Sequence, residues 1–108
     1  MDKWEIELRE RLIAKRGPYC EICGLRYATE VNHCLVHDRK RLHKLLTVEE
    51  NLQLVCRECH AKYGHTKENK KLFYEKQLKR GYNITKWYDS LPLKINDFTE
   101  RSDYEGRK

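Results

Sequence analysis

The chain has 108 residues, 37% of them charged and 39% hydrophobic, with a formal net charge of +6. That length suits one small domain, whose thin apolar core needs a further source of stability. No apolar run approaches the ~20 residues of a membrane span, so a membrane role is set aside. The charge is uneven: residues 37–80 hold 12 Lys/Arg against 6 Asp/Glu, whereas the remaining residues hold 11 of each. A run of lysines is often only a solvated helical face. An excess confined to the segment that carries the metal-ligand candidates instead favours a polyanionic partner, because neutralised phosphates release counterions.

Residues 3–16 read as a helix: Trp4, Leu8 and Leu12 recur every four positions with Ile13 beside them, Asp2 caps the start, and Gly17-Pro18 ends the run. The charged beginning, Met1 to Glu7, lacks the apolar stretch of a signal peptide, so a reducing compartment is expected. Residues 18–24 carry Cys20-x-x-Cys23, with Gly24 as the permissive turn residue. Thr29 to Val36 reads as a strand, with Val31, His33 and Leu35 on one face and Asn32, Cys34 and Val36 on the other. Residues 37–46 are basic and irregular. Thr47-Val48-Glu49-Glu50 spells a capping box and predicts a short helical turn, after which Leu52 to Val55 form a second strand. A helix is expected from Arg57 to about His65, and another from a Thr66 cap to Arg80, stopped by Gly81. A last short helix, capped by Asn83 or Thr85, carries Trp87, Tyr88 and Leu91 ahead of Pro92. Residues 99–108 are charged and poor in apolar side chains, and read as a loose tail.

Two C-x-x-C pairs, Cys20/Cys23 and Cys56/Cys59, with 32 residues between them, have the spacing of a closed four-thiolate zinc site. The alternative is a disulfide framework, which fits poorly with five cysteines and a charged N-terminus. The thiolates are therefore read as reduced and zinc-bound, in the cytoplasm, and Cys34 as a small buried apolar side chain near the site. The gap between the pairs has room for a strand, a loop and a second strand. One histidine, His33, falls on the first strand, and another, His60, opens the helix that follows the second.

Cys20-x-x-Cys23, Val31-Asn32-His33, Glu50-Asn51-Leu52-Gln53-Leu54-Val55-Cys56 and Cys59-His60-Ala61-Lys62 together resemble the HNH endonucleases, the ββα-metal nucleases, over about residues 19–65. The resemblance implies a small α+β fold: a ββα-metal core stapled by the four-cysteine zinc site, with flanking N- and C-terminal helices. The implied layout is an N-terminal helix over 1–18, the nuclease core over 19–80, a C-terminal helical extension over 81–98 and a flexible tail over 99–108. It makes His33 the general base, a task that suits an imidazole because it titrates near neutrality. His60 becomes a ligand of a catalytic divalent ion (Mg²⁺, Mn²⁺, Ni²⁺ or Zn²⁺) that engages the scissile phosphate, and Asn51 the residue that braces the loop and the base. Arg39, Lys40, Arg41, Lys44 and Lys62 are the expected phosphate contacts, with His43 and His65 as phosphate or surface residues.

Asn32 departs from the family pattern, which usually has an aspartate or histidine that ligates the catalytic ion. A neutral carbonyl oxygen is a weaker partner for a hard cation than a carboxylate. Three readings follow: Asn32 binds the ion weakly, His37 assists, or activity has been lost. A strand continuing past His33 would carry His37 over ~10 Å away at ~3.3 Å per residue.

The resemblance implies a metal-dependent endonuclease hydrolysing DNA phosphodiester bonds, nicking one strand at a time, of the short stand-alone type found in phages and mobile elements. Its setting would be the cytoplasm of a bacterium or phage-infected cell. One alternative is a non-catalytic zinc module that binds DNA or a protein on the same scaffold, although a scaffold needs only the four thiolates. Another is an RNase, because a basic loop and a metal serve either backbone. A third is a regulator that docks on a protein partner through the Trp87-Tyr88 helix and the C-terminal segment.

Overall fold

A computed structural model of the chain describes residues 2–92; the tail expected over 99–108 lies outside the described residues. Helix α1 spans Lys3–Arg16 and opens with a capping box between Asp2 and Glu5. Its stripe of Leu8 and Leu12 is buried against Ala28, Leu52 and Leu54, with Trp4, Ile13 and Val31 around them. Strands β1 (Glu30–His33) and β2 (Leu52–Val55) pair antiparallel in the register Glu30↔Val55, Val31↔Leu54, Asn32↔Gln53 and His33↔Leu52. A two-stranded ribbon is marginal by itself, and here it is covered. Every residue of β2 is buried, α1 lies over the Val31 and Leu54 face, and helix α3 (Arg57–Tyr63) packs against β1.

Helix α4 (Lys67–Lys79) starts at Thr66, whose side chain accepts from the Asn69 N–H, and it sets Phe73 and Tyr74 against Cys34, Leu35 and Ile84. Helix α5 (Ile84–Asp89), capped by the Asn83 side chain, adds Tyr88 to a cluster with Val36, Leu46 and Leu91. Between these layers the Arg16 guanidinium bonds Glu21 at 3.0 Å, Leu52 O at 2.7 Å and Glu49 O at 3.1 Å. Arg80 meets the other Glu21 oxygen at 2.9 Å, so one buried carboxylate joins α1, the first cysteine hairpin and α4. The architecture is a small α+β fold around a ββα core.

Four local expectations change. Strand β1 stops at His33 rather than Val36, because the N–H groups of Leu35 and Val36 turn to Asn51 Oδ1 (2.8 and 2.9 Å) instead of a ladder partner. Residues 37–46 are not all irregular: a 3₁₀ turn over Lys40–Leu42 leads into a short helix α2 (His43–Leu46) that turns Leu46 into the core. The Thr47 capping box does not form. Residues 47–50 make bends and a turn, and the Thr47 hydroxyl is engaged by histidines. The aromatics of α5, which one alternative reading offered to a protein partner, are turned inward: Trp87 packs against two core clusters and donates to Leu45 O at 3.3 Å.

Candidate active site and metal centres

The four paired cysteines converge. One sulfur from each of Cys20, Cys23, Cys56 and Cys59 lies within 4.8 Å of every other, and none is disulfide-bonded. The first pair sits on a hairpin closed by Cys20 N–H to Arg26 O at 2.8 Å, with Gly24 in the left-handed region at φ 68°. The second pair opens α3, where Cys56 is the N-cap and its sulfur accepts from the Cys59 N–H at 3.4 Å. Backbone amides aimed at sulfur favour the thiolate. The Leu25 N–H, 3.4 Å from Cys23 Sγ, leads in lowering that thiol to about 6. Burial pushes Cys59 up to about 12, an opposition that a shared dication removes by replacing the protons. Four sulfur donors in a closed, mostly buried cluster suit a structural metal with tetrahedral preference. Cys34 stands apart in the core, where burial pushes it up to about 12.

His33 closes β1 with its side chain 16% exposed. Its Nε2 lies 2.9 Å from Thr47 Oγ1 and 3.9 Å from Asp38 Oδ1, while Nδ1 has no hydrogen bond to a described residue. Burial lowers the pKa of His33; Asp38 opposes the shift, and His43 and His60 add to it. The ring is therefore neutral at physiological pH and able to take up a proton. The loop around it hangs on Asn51. That buried side chain accepts from Leu35 and Val36 N–H and donates to Val36 O and Leu46 O, both at 2.9 Å.

His60, on α3, is half-buried and points Nδ1 at Glu30 Oε1, 2.8 Å away on β1. The hydrogen bond to His60, followed by that to Arg57, holds Glu30 below the usual carboxylate range. A carboxylate accepting Nδ1–H leaves Nε2 with its lone pair outward, the arrangement of a metal-ligating histidine. Asn32 lies on the same face of β1 as Glu30, fully buried, and donates to Gly64 O at 2.8 Å and Gln53 Oε1 at 3.1 Å. Its Oδ1 is buried with no hydrogen-bond partner, a state that costs stability unless a cation or donor meets it. That orphaned oxygen and the outward Nε2 of His60 are both donor types that a divalent ion accepts. Gly64 is confined: a Cβ there would stand 2.5 Å from His60 O and 2.8 Å from His60 Cδ2, so any side chain would displace the ligand candidate.

Two further histidines stand near His60: His37, offered by the sequence as an assisting ligand, and His65, read there as a phosphate or surface residue. The rings of His60 and His65 are 5.9 Å apart, and those of His65 and His37 are 4.4 Å apart. The bend after His33 brings His37 back, where an extended strand would have carried it off. His43 belongs to the other side of the site: its ring lies 5.9 Å from that of His33, and its nitrogens meet Asp38 Oδ2 at 2.8 Å and Glu5 Oε2 at 2.5 Å. Glu30, Asp38 and Glu5 carried no site signal in the sequence, and Thr47 signalled only a helix cap. Each reveals itself only through the histidine it touches. Arg39, Lys40, Arg41, Lys44 and Lys62 are all exposed, the first four on the segment that leads from the site into α2.

A ββα unit stapled by four cysteines, with one histidine ending the first strand and one in the helix, defines the class of ββα-metal domains. Residues 20–66 match the sequence model of the HNH endonuclease family, so this stretch is an HNH-type domain. Neither the curated proteins nor the solved structures gave a match. Nucleic acid is therefore the substrate class that the domain implies, and among the described residues no helix is long and apolar enough to cross a membrane.

Proposed function

We propose that the protein is a metal-dependent endonuclease that hydrolyses DNA phosphodiester bonds one strand at a time, with His33 as general base. The observation that carries the reading is the pair of oriented imidazoles: His33 is fixed through Nε2 by Thr47, and His60 is fixed through Nδ1 by Glu30. With Thr47 accepting the Nε2 proton, the lone pair of Nδ1 takes the proton of an attacking water, and burial keeps that ring neutral for the task. His60 Nε2 and Asn32 Oδ1 would hold the catalytic divalent ion, with His37 and His65 as the nearest further imidazoles. Such an ion supplies charge for the scissile phosphate and the leaving oxygen. Asn51 keeps the loop carrying His37 and Asp38 in place, while Arg39, Lys40, Arg41, Lys44 and Lys62 meet backbone phosphates. The four cysteines hold zinc as a structural ion. Reduced thiolates suit a cytoplasmic setting, in a bacterium or a phage-infected cell.

The enclosure of Asn32 favours one rival, a zinc-stapled module that binds DNA without cutting it, since the side chain is already committed to Gln53 and Gly64 through its nitrogen. A supercoiled-plasmid assay separates the two readings. After dialysis and addition of Mg²⁺, Mn²⁺ or Ni²⁺, the parent chain is expected to convert supercoiled DNA to nicked circles. His33→Ala, at unchanged zinc content, is expected not to. Binding without cutting by both proteins, under every metal, would establish the rival. The same assay on a structured RNA tests the choice of backbone.

A further inference from the structure

On the α1 side of His33, the side chains of Asp38, His43 and Glu5 are donors that the nuclease chemistry above does not use. One ligand atom from each of His33, Asp38 and His43 lies within 4.8 Å of the others. Thr47 Oγ1 stands among them, 2.9 Å from His33 Nε2 and 3.3 Å from His43 Nδ1. Glu5, brought over by α1, closes the far side through His43 Nε2. Asp38 and His43 are 37% and 36% exposed, so an ion has a path in from solvent, while His33 is held from below by the fold. The group is assembled from four places in the chain: the start of α1, the end of β1, the loop after it and α2.

From this geometry we infer a second metal position, built by His33, Asp38 and His43, that takes a borderline transition ion such as Zn²⁺ or Co²⁺ and silences the general base when filled. Two imidazoles and one carboxylate are a nitrogen-rich set that discriminates against Mg²⁺, which prefers oxygen and water. The carboxylates of Asp38 and Glu5 balance the charge of a dication. The consequence for the base follows from ring chemistry. An ion on His33 Nε2 displaces the proton shared with Thr47, the neutral ring then carries its proton on Nδ1, and Nδ1–H has no lone pair with which to accept a proton from water. Mg²⁺ would thus support cutting through the His60 side, while excess zinc would stop it through the His33 side. The inhibitory consequence rests on His33 being the base; the binding itself does not.

The test separates the two. In His60→Ala with zinc retained on the four thiolates, equilibrium dialysis against Co²⁺ is expected to find one further ion per chain. The visible absorption of that ion should be that of nitrogen and oxygen ligands, without thiolate charge-transfer bands. Adding His43→Gln, or separately Asp38→Asn, which keeps the size and hydrogen-bonding reach of the side chain, should weaken that ion at least about tenfold. Circular dichroism and zinc content verify the fold of each variant. Equal cobalt uptake with and without these changes, or no further ion at all, overturns the proposal. In the second arm, nicking in saturating Mg²⁺ is titrated with Zn²⁺, each protein being normalised to its own zinc-free rate. Asp38→Asn is expected to need about tenfold more zinc for half-inhibition. Inhibition at the same zinc concentration in both proteins would overturn the silencing, whereas an absence of nicking in any protein would count against the nuclease reading and leave the cobalt result standing.

Discussion

Asn51 is the residue on which the most structure depends for its size. Its four hydrogen bonds replace a continued β-ladder over Leu35 and Val36 and tie that bend to the end of α2. Truncation to Ala would leave two buried N–H groups and two carbonyls to find other partners, at about 1–3 kcal/mol for each left unpaired. With some repair by water, Asn51→Ala is expected to destabilise the chain by about 3–5 kcal/mol in urea unfolding. A loss below ~1 kcal/mol would mean that the loop holds its shape without it. The same residue shows what a sequence does and does not convey. Its place in the H, N, H order is legible through the resemblance to the HNH family. That its carboxamide ends β1 at His33, so that His37 returns to stand with His65, is a tertiary fact that no local pattern carries. The orienting partners are equally silent. Glu30 reads as an ordinary polar strand residue, and Thr47 as a helix cap, until the histidines are in place.

Elements that declare themselves in the sequence do so through local signals. Helix α1 shows its apolar spacing and its Asp2 cap, α4 its Thr66 cap and Gly81 stop, and β2 its Leu52, Leu54 and Val55 between Asn51 and Cys56. Helix α2 has no cap hydrogen bond from a side chain and only four residues, so its formation depends on Leu46 being drawn into the core. Contacts between elements are less visible still. Glu49, in the turn before β2, receives Lys15 at 2.9 Å and Arg11 at 3.5 Å from α1, and the Tyr82 hydroxyl at 2.6 Å from beyond α4. Burial would raise its pKa, but the Tyr82 and Lys15 hydrogen bonds prevail and hold it below 4.5. A carboxylate with a depressed folded pKa contributes stability that is fully present above the unfolded value and is lost as pH falls through the folded one. Glu49→Gln is therefore expected to lower stability at pH 7 by up to about 1 kcal/mol, with the gap from the parent closing below pH 4.5. Urea midpoints measured across that range check both the sign and the window; a gap that widens in acid would contradict the assignment.

At the scale of the whole molecule, the core formed by the described residues is divided among four small clusters, one of them made largely of the cysteines themselves. Val55 and Ile22 pack directly on that sulfur cluster, so the end of β2 is anchored through the metal site as well as through the ladder. Removing the metal should therefore unfold the chain as a unit rather than loosen one hairpin. A strong chelator in reducing buffer is expected to abolish near-ultraviolet circular dichroism and to raise proteolytic susceptibility throughout, with recovery on adding Zn²⁺. Retention of tertiary signal after complete zinc loss would show that burial alone suffices. The nuclease account rests on the same integration, because the base comes from β1, the ion's ligand from α3 and the loop between them from Asn51. Residues that act as one catalytic unit are strongly non-additive when removed. The most direct measurement is the set of single-turnover nicking rates for the parent, His33→Ala, His60→Ala and the double variant in saturating Mn²⁺. Each single change is expected to cost about 10²–10⁴ in rate, and the double variant to be scarcely slower than the slower single one. Parent-like cutting by either single variant, or losses that multiply in full, would contradict a shared site of base and metal.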